Sequence, residues 1–214
     1  MPATAPREAM RIAVFARAPV AGRVKTRLAA MLGDEGAADL HARLARHAVA
    51  TAVESGVGDV QLWCDPDESH PFFASCAAQR RVNLRPQSGI DLGERMRNAI
   101  RSSLDDGEPM VLIGSDCPAL GAGVLRAAAE ALASHDAVFA PAEDGGYVLV
   151  GLAKDAPRLF EGIEWGAASV MDETRARLGQ SGLRWKELAT LWDVDRPEDY
   201  ARLEREGWLA RMGA

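Results

Sequence analysis

Apolar residues fall along this chain in two alternating rhythms. Short, mostly apolar runs recur at Arg11–Ala16, Val60–Cys64, Val82–Leu84 and Met110–Ile113, the last without a polar break. Runs this short, closed by turn formers, read as strands buried on both faces, as in a parallel sheet. Between them, apolar residues return at helical spacing. Leu40, Leu44, His47, Ala48 and Val49 mark one side of a long helix from Asp34 to Ser55, with Asp34 as its cap and Gly56 and Gly58 as its stop. A short helix is expected over 71–78, and Leu92, Met96, Ile100 and Leu104 recur every fourth residue of a helix over 91–104. An alanine-rich helix is expected over 122–134 and another over 169–178. Runs at 137–140 and 147–150 flank the turn Glu143-Asp144-Gly145-Gly146, a last strand is placed within 187–194, and a final helix starts at Pro197. Strands alternating with helices across short loops predict an α/β domain with a mostly parallel sheet, to which the late hairpin adds a mixed or antiparallel edge.

Composition narrows this picture. A chain of 214 residues fits one large domain. No apolar run approaches the roughly 18 residues of a membrane span. Residues 1–9 lack the apolar stretch of a signal peptide and are expected to form a disordered lead, with Met10 a candidate start and 10–214 the folded unit. Cys64, Cys76 and Cys117 are odd in number and lack metal-type spacing, which points to a reduced, cytoplasmic protein. The net charge of −6 argues against a nucleic-acid binder. Yet Arg17, Arg23, Lys25 and Arg27 crowd one loop of a chain with only three lysines, which suits a small anionic ligand.

Four places could carry chemistry. The loop from Ala16 to Leu28 lies between a strand and a helix, where backbone N–H groups, Gly22, the arginines and Lys25 could cradle phosphate. It is neither a Walker loop nor a dinucleotide fingerprint, and a solvated basic turn is the plainer alternative. Asp116 follows Met110-Val111-Leu112-Ile113-Gly114-Ser115, so it stands at the carboxyl edge of a buried strand, where open α/β sheets bind ligands. It could hold a divalent cation, or merely cap the next helix. Cys117 reads as a packing residue. The Glu143–Gly146 turn permits close approach of backbone to ligand, or is a plain hairpin turn. In Trp192-Asp193-Val194-Asp195-Arg196-Pro197, one of the two aspartates is expected to face the site, Asp195 ahead of Asp193, while Pro197, Glu198 and Asp199 suit a helix start.

These motifs, in this order, resemble the GT-A-type nucleotide-diphospho-sugar transferases, and within them the bacterial DUF2064 family, which carries a glycosyltransferase label. Guanylyl- and cytidylyltransferases of cofactor biosynthesis are more distant relatives. The resemblance runs from Met10 to about Leu203 and implies a single-domain, three-layer α/β/α fold. It implies that Arg23, Lys25 and Arg27 meet the donor's phosphates, with Arg17 and Gly22 in the same loop. Asp116 and Asp195 would hold Mg2+ or Mn2+. Gly89, Gly93 and Arg95, within Gln87–Arg95, would pack near the nucleoside, and Glu143, Asp144, Gly145 and Gly146 would line the acceptor side. Two departures stand out: the first loop lacks the fuller Gly-rich pattern of the pyrophosphorylases, and Asp116 has no second acid of a D-x-D.

The implied activity is metal-dependent transfer from a nucleotide-activated donor to a small-molecule acceptor, catalysed through Asp116, Asp195 and Lys25. Glycosyl transfer is the leading form. Nucleotidyl transfer to a phosphorylated acceptor would use the same apparatus, and a non-catalytic nucleotide-sugar-binding protein is a third reading. A flavodoxin-like or Rossmann oxidoreductase is disfavoured because its Gly-rich fingerprint is missing.

Overall fold

The computed structural model describes residues 10–80 and 82–212, so the expected lead over 1–9 lies outside the described residues. Seven strands form one sheet: β1 (Arg11–Arg17), β2 (Asp59–Asp65), β3 (Asn83–Pro86), β4 (Met110–Gly114), β5 (Ala137–Pro141), β6 (Tyr147–Leu152) and β7 (Trp185–Glu187). Their order is β3-β2-β1-β4-β6-β5-β7. All run parallel except β6, which is antiparallel to both β4 and β5.

The helices are α1 (Ala29–Ser55), α2 (Pro71–Arg80), α3 (Leu92–Leu104), α4 (Ala122–Leu132), α5 (Val170–Ser181), α6 (Pro197–Arg205) and α7 (Trp208–Arg211). Alternation along the strands explains the three layers, because successive side chains point to opposite faces. Ile12, Val14, Val111 and Ile113 pack against α1, α2 and α4 on one face. Ala13, Phe15, Met110 and Leu112 pack against α3 and α5 on the other. Gly33 interrupts α1 with φ 71 and ψ 165, so the continuous long helix begins beside Asp34. Asp91 caps α3, its carboxylate accepting from the Glu94 N–H.

Two expectations need correction. The hairpin does not form an edge: β6 is inserted between β4 and β5, and the edge strand is β7. That edge strand also lies earlier than expected, at Trp185–Glu187. The chain from 188 to 194 is no strand, bonded to the sheet by an isolated bridge from Leu191 to Ala142 and by single backbone bonds such as Leu188 N–H to the Phe139 carbonyl. The apolar residues of this stretch have another role. Trp192 and Val194 join Leu28, Leu40, Leu44 and Leu203 in a satellite core that pins the carboxyl-terminal segment over the ends of β1 and β4.

Candidate active site

The sheet register brings the chemistry together. Arg17 pairs with Asp65 and Phe15 with Gly114, so Arg17, Asp65 and the Ser115-Asp116 step all emerge at one edge. Strand order reverses between β1 and β4, the place where open α/β sheets leave a crevice.

Lys25 is the only non-glycine residue with positive φ among the described residues, at 48°. An L-residue in the left-handed region carries a steric penalty of about 1–2 kcal/mol. The surroundings hold it there. Its ammonium, in a side chain only 4% exposed, lies 2.9 Å from Asp116 Oδ2 and donates to the Val194 carbonyl at 2.5 Å. Val194 N–H in turn donates to the Asp116 carbonyl at 2.9 Å. One lysine thus fastens the first loop, β4 and the carboxyl-terminal segment.

Asp116 keeps 42% of its side chain exposed, so one flank is open to a ligand. Burial of the other flank would raise its pKa, but the Lys25 charge and the polar contacts of His41 and Lys25 outweigh that and hold the carboxyl well below its usual 3.8. His41 was not foreseen. It lies on the apolar side of α1 and is buried, its Nδ1 3.6 Å from Asp116 Oδ1 and its Nε2 3.1 Å from the Arg17 carbonyl.

The two aspartates near the carboxyl end stand in different surroundings. Asp195, the expected second acid, is engaged by Arg27. Asp193 lines a cavity beside Asp144, and burial, then the negative charges of Asp144 and Asp116, push its carboxyl up from 3.8 to about 6. Residues two apart share a face of an extended strand, so alternation does not separate this pair. Their partners do, with Trp192 and Val194 anchored in the satellite core on either side of Asp193.

The basic loop divides into engaged and free groups. Arg17 pairs with Asp65 at 3.1 Å and Arg27 with Asp195, whereas Arg23 is exposed with no ion pair among the described residues. Gly22 turns the loop with φ 73. Arg95 also reaches Asp65, at 3.0 Å, and donates to the Gly89 carbonyl at 3.3 Å. Gln87 ties this segment to the sheet by donating to the Trp63 carbonyl at 2.9 Å. Gly93 has a packing duty: a Cβ there would lie 2.5 Å from the Phe160 carbonyl oxygen and 2.6 Å from Trp165 Nε1.

The Glu143–Gly146 turn divides likewise. Glu143 pairs with Arg202 at 2.9 Å. Gly145, at φ 92, lets the chain pass the Ala168 carbonyl, which a Cβ would meet at 2.0 Å. Asp144 and Gly146 line a cavity of about 190 Å3 together with Leu92, Tyr147, Trp165 and Asp193. Larger cavities of about 410 Å3 lie elsewhere, one beside Arg101 and Lys154 at the opposite edge of the sheet and one between α1 and α2. Cys117 is buried, with its thiol pushed up to about 12 by burial, which fits packing rather than attack. All three cysteines are unpaired. Among the described residues, no helix is long and apolar enough to cross a membrane.

An α/β sheet of this order, with an acid and a lysine at its switch point, has the architecture of the nucleotidyl- and sugar-nucleotide transferases. A crystal structure from Desulfovibrio desulfuricans G20, described as a "putative nucleotide-diphospho-sugar transferase", is 33% identical, with a TM-score of 0.76 over 87% of this chain and 82% of that one. A nucleotidyl transferase from Methanothermobacter thermautotrophicus shares the fold at 17% identity and a TM-score of 0.65, covering 94% and 99% of the two chains. So does Rv0371c of Mycobacterium tuberculosis in complex with manganese, at 17% identity and a TM-score of 0.53 over 91% and 98%. No curated protein matches. Residues 48–167 match the family described as "Uncharacterized protein conserved in bacteria (DUF2064)", and the chain belongs to that family.

Proposed function

We propose that this protein is a metal-dependent glycosyltransferase of the cytoplasm, taking its sugar from a nucleotide-activated donor. The observation that carries the reading is Lys25, held in a strained conformation against Asp116 at the switch point of the sheet. Strain kept in place by surrounding contacts is a mark of functional sites. Nearby, the exposed Arg23 is free to meet a phosphate, and a guanidinium suits bidentate contact with its oxygens. The 33% identical relative, named for nucleotide-diphospho-sugar transfer, supports the same donor class.

The acids also fit a metal ion. Burial raises Asp193 first and the negative charges of Asp144 and Asp116 raise it further, and a cation bound there would offset both. Among the described residues, no three His, Cys, Asp or Glu side chains form a ready-made metal site. Mg2+ or Mn2+ is commonly held by only one or two carboxylates and completed by substrate phosphates. Asp116 and Asp193 would be its protein ligands, with Asp195 held by Arg27. When bound, the ion would neutralise charge growing on the leaving phosphate. Lys25 positions Asp116, and Arg23 supplies positive charge to the same phosphates by preorganised electrostatics. The acceptor hydroxyl attacks the anomeric carbon as the bond to the donor phosphate breaks. The nucleoside diphosphate leaves with the bonding pair, and the acceptor's proton passes to Asp144 at the mouth of the cavity.

The nucleotidyl form, in which an acceptor phosphate attacks the α-phosphorus of an NTP, remains the second reading because the donor machinery is shared. A thermal-shift panel separates the two. At 100 times its Kd a ligand stabilises by roughly 2.7 kcal/mol. The expected result is a Mg2+- or Mn2+-dependent response to one NDP-sugar, abolished by EDTA and by Asp116→Asn. A response to an NTP alone would favour nucleotidyl transfer. An unchanged response in Asp116→Asn would remove the metal assignment, and donor binding without turnover of any acceptor would favour a binding protein.

A further inference from the structure

The cavity beside Asp193 has a chemistry of its own. Its walls are Leu92, Met96, Tyr147, Val148, Trp165 and Val170. The aromatic side is fixed by edge-on packing, with Tyr147 centred 5.3 Å from Phe139 and 6.3 Å from Trp165. The Tyr147 hydroxyl is left with Met96 Sδ, at 4.0 Å, as its partner. Leu92, in the first turn of α3, keeps 46% of its surface exposed where it borders the opening. The only charged side chains lining the cavity are Asp144 and Asp193, and no lysine or arginine lines it.

Size and charge together define an occupant. An apolar cavity of roughly 150 Å3 is enough to bind benzene. The cavity here, at about 190 Å3, takes one six-membered ring with a short substituent. A phosphate or carboxylate on that substituent would face the Asp144 carboxylate, which the metal reading leaves without a cation, and in the metal-free protein Asp193 as well, a like-charge arrangement that selects against such ligands. A hydroxyl could donate to either acid, and an ammonium would pair with them.

We infer that this cavity is the acceptor subsite, and that it takes a neutral or cationic molecule built on a single apolar or aromatic ring and rejects phosphorylated acceptors. The inference rests on the donor reading above and sharpens it. Nucleotidyl transfer needs an anionic acceptor, which Asp144 disfavours even when a metal occupies Asp193, so the charge of this cavity favours the glycosyl form.

Three probes share one ring and differ only in head group: benzyl alcohol, benzylamine and benzyl phosphate. Their binding to the whole chain is measured by saturation-transfer NMR titration, without nucleotide. Benzyl alcohol and benzylamine are expected to bind, and benzyl phosphate at least tenfold more weakly than benzylamine. Ala167→Phe, at the half-buried rim, should weaken both binders at least tenfold by filling the space. Asp144→Asn, at an exposed position whose amide oxygen can still accept from the Gly146 N–H, should narrow the gap between benzylamine and benzyl phosphate several-fold. Benzyl phosphate binding as tightly as benzylamine would overturn the inference. So would binding indifferent to Ala167→Phe, or no binding of any probe by a protein that still responds to an NDP-sugar with Mn2+. Bound probes in a protein that ignores every nucleotide would sink the donor reading and leave the ring-binding subsite standing.

Discussion

Replacing Lys25 separately by alanine and by glycine separates its two roles. Both substitutions remove the ammonium 2.9 Å from Asp116. At that distance, with an effective dielectric constant of 20, the gross attraction is about 6 kcal/mol. Water reaching the 42% exposed carboxylate recovers much of it. The net loss for each variant should be about 2–3 kcal/mol, the range for hydrogen bonds to charged groups. The backbone then distinguishes them. Alanine keeps the penalty of about 1–2 kcal/mol for a left-handed L-residue, which glycine avoids. Glycine gives back roughly 0.4–1 kcal/mol through its freer unfolded state. Lys25→Gly should therefore be the more stable variant by about 0.5–1 kcal/mol, the reverse of the usual ranking. With a urea m-value of about 2 kcal/mol/M, its midpoint should lie about 0.3–0.5 M above that of Lys25→Ala. The pH dependence is a second check. Asp116 titrates below its unfolded 3.8, so its contribution is fully present above 3.8 and is lost as pH falls through the folded value. Without Lys25 that depression shrinks, and the gap between wild type and variants should close on acidification. Alanine equal to or better than glycine would refute the strain argument. A gap constant down to the acid limit would refute the electrostatic one.

Asp193→Asn should stabilise the protein at pH 7 while losing metal-dependent donor binding. The native carboxyl titrates near 6 rather than 3.8, so the wild type loses stability as pH rises through that window, by up to about 3 kcal/mol. The variant's urea midpoint should be flat across it, and a pH profile identical to wild type would contradict the clustering of acids. Gly145→Ala places a methyl 2.0 Å from the Ala168 carbonyl oxygen at φ 92 and should cost more than about 2 kcal/mol. A melting temperature within one degree of wild type would show that the 165–170 segment is not held by this contact.

The elements were legible wherever one physical rule governed them. Unbroken apolar runs marked β1 and β4 because both faces of those strands are covered, and Asp91 marked the start of α3 because its carboxylate is placed to cap it. The Asp116 strand end followed from the same pattern. Residues 187–194 misled because Leu188, Leu191, Trp192 and Val194 are apolar for two reasons that periodicity does not distinguish. Leu188 and Leu191 pack against the main core, while Trp192 and Val194 belong to the satellite core under α1 and α6. The insertion of β6 beside β4 was equally invisible, since strand order depends on which edges meet across the fold. His41 left a faint trace, a polar residue one turn from Ala37, Leu44 and Ala45 on the buried side of α1. A buried imidazole needs partners, and its Nε2 finds the Arg17 carbonyl while Nδ1 lies near Asp116 at 3.6 Å without a hydrogen bond.

The departures from local rules lie together. Lys25 adopts a glycine's conformation, His41 interrupts an apolar helix face, and Asp193 is left half-buried among like charges. All three converge on Asp116. Sequences that specify a fold tend to agree at every level except where function imposes a different demand. Here the loop, the long helix and the carboxyl-terminal segment each carry one such conflict, although they are far apart in sequence and belong to different structural units. Packing alone has no reason to gather them at one strand end, and the proposed site supplies one. The satellite core of Leu28, Leu40, Leu44, Trp192, Val194 and Leu203 then has a clear purpose: it clamps those three units together tightly enough to hold the strain. Trp192, 5% exposed and immediately before Asp193, ties that clamp directly to the raised carboxyl.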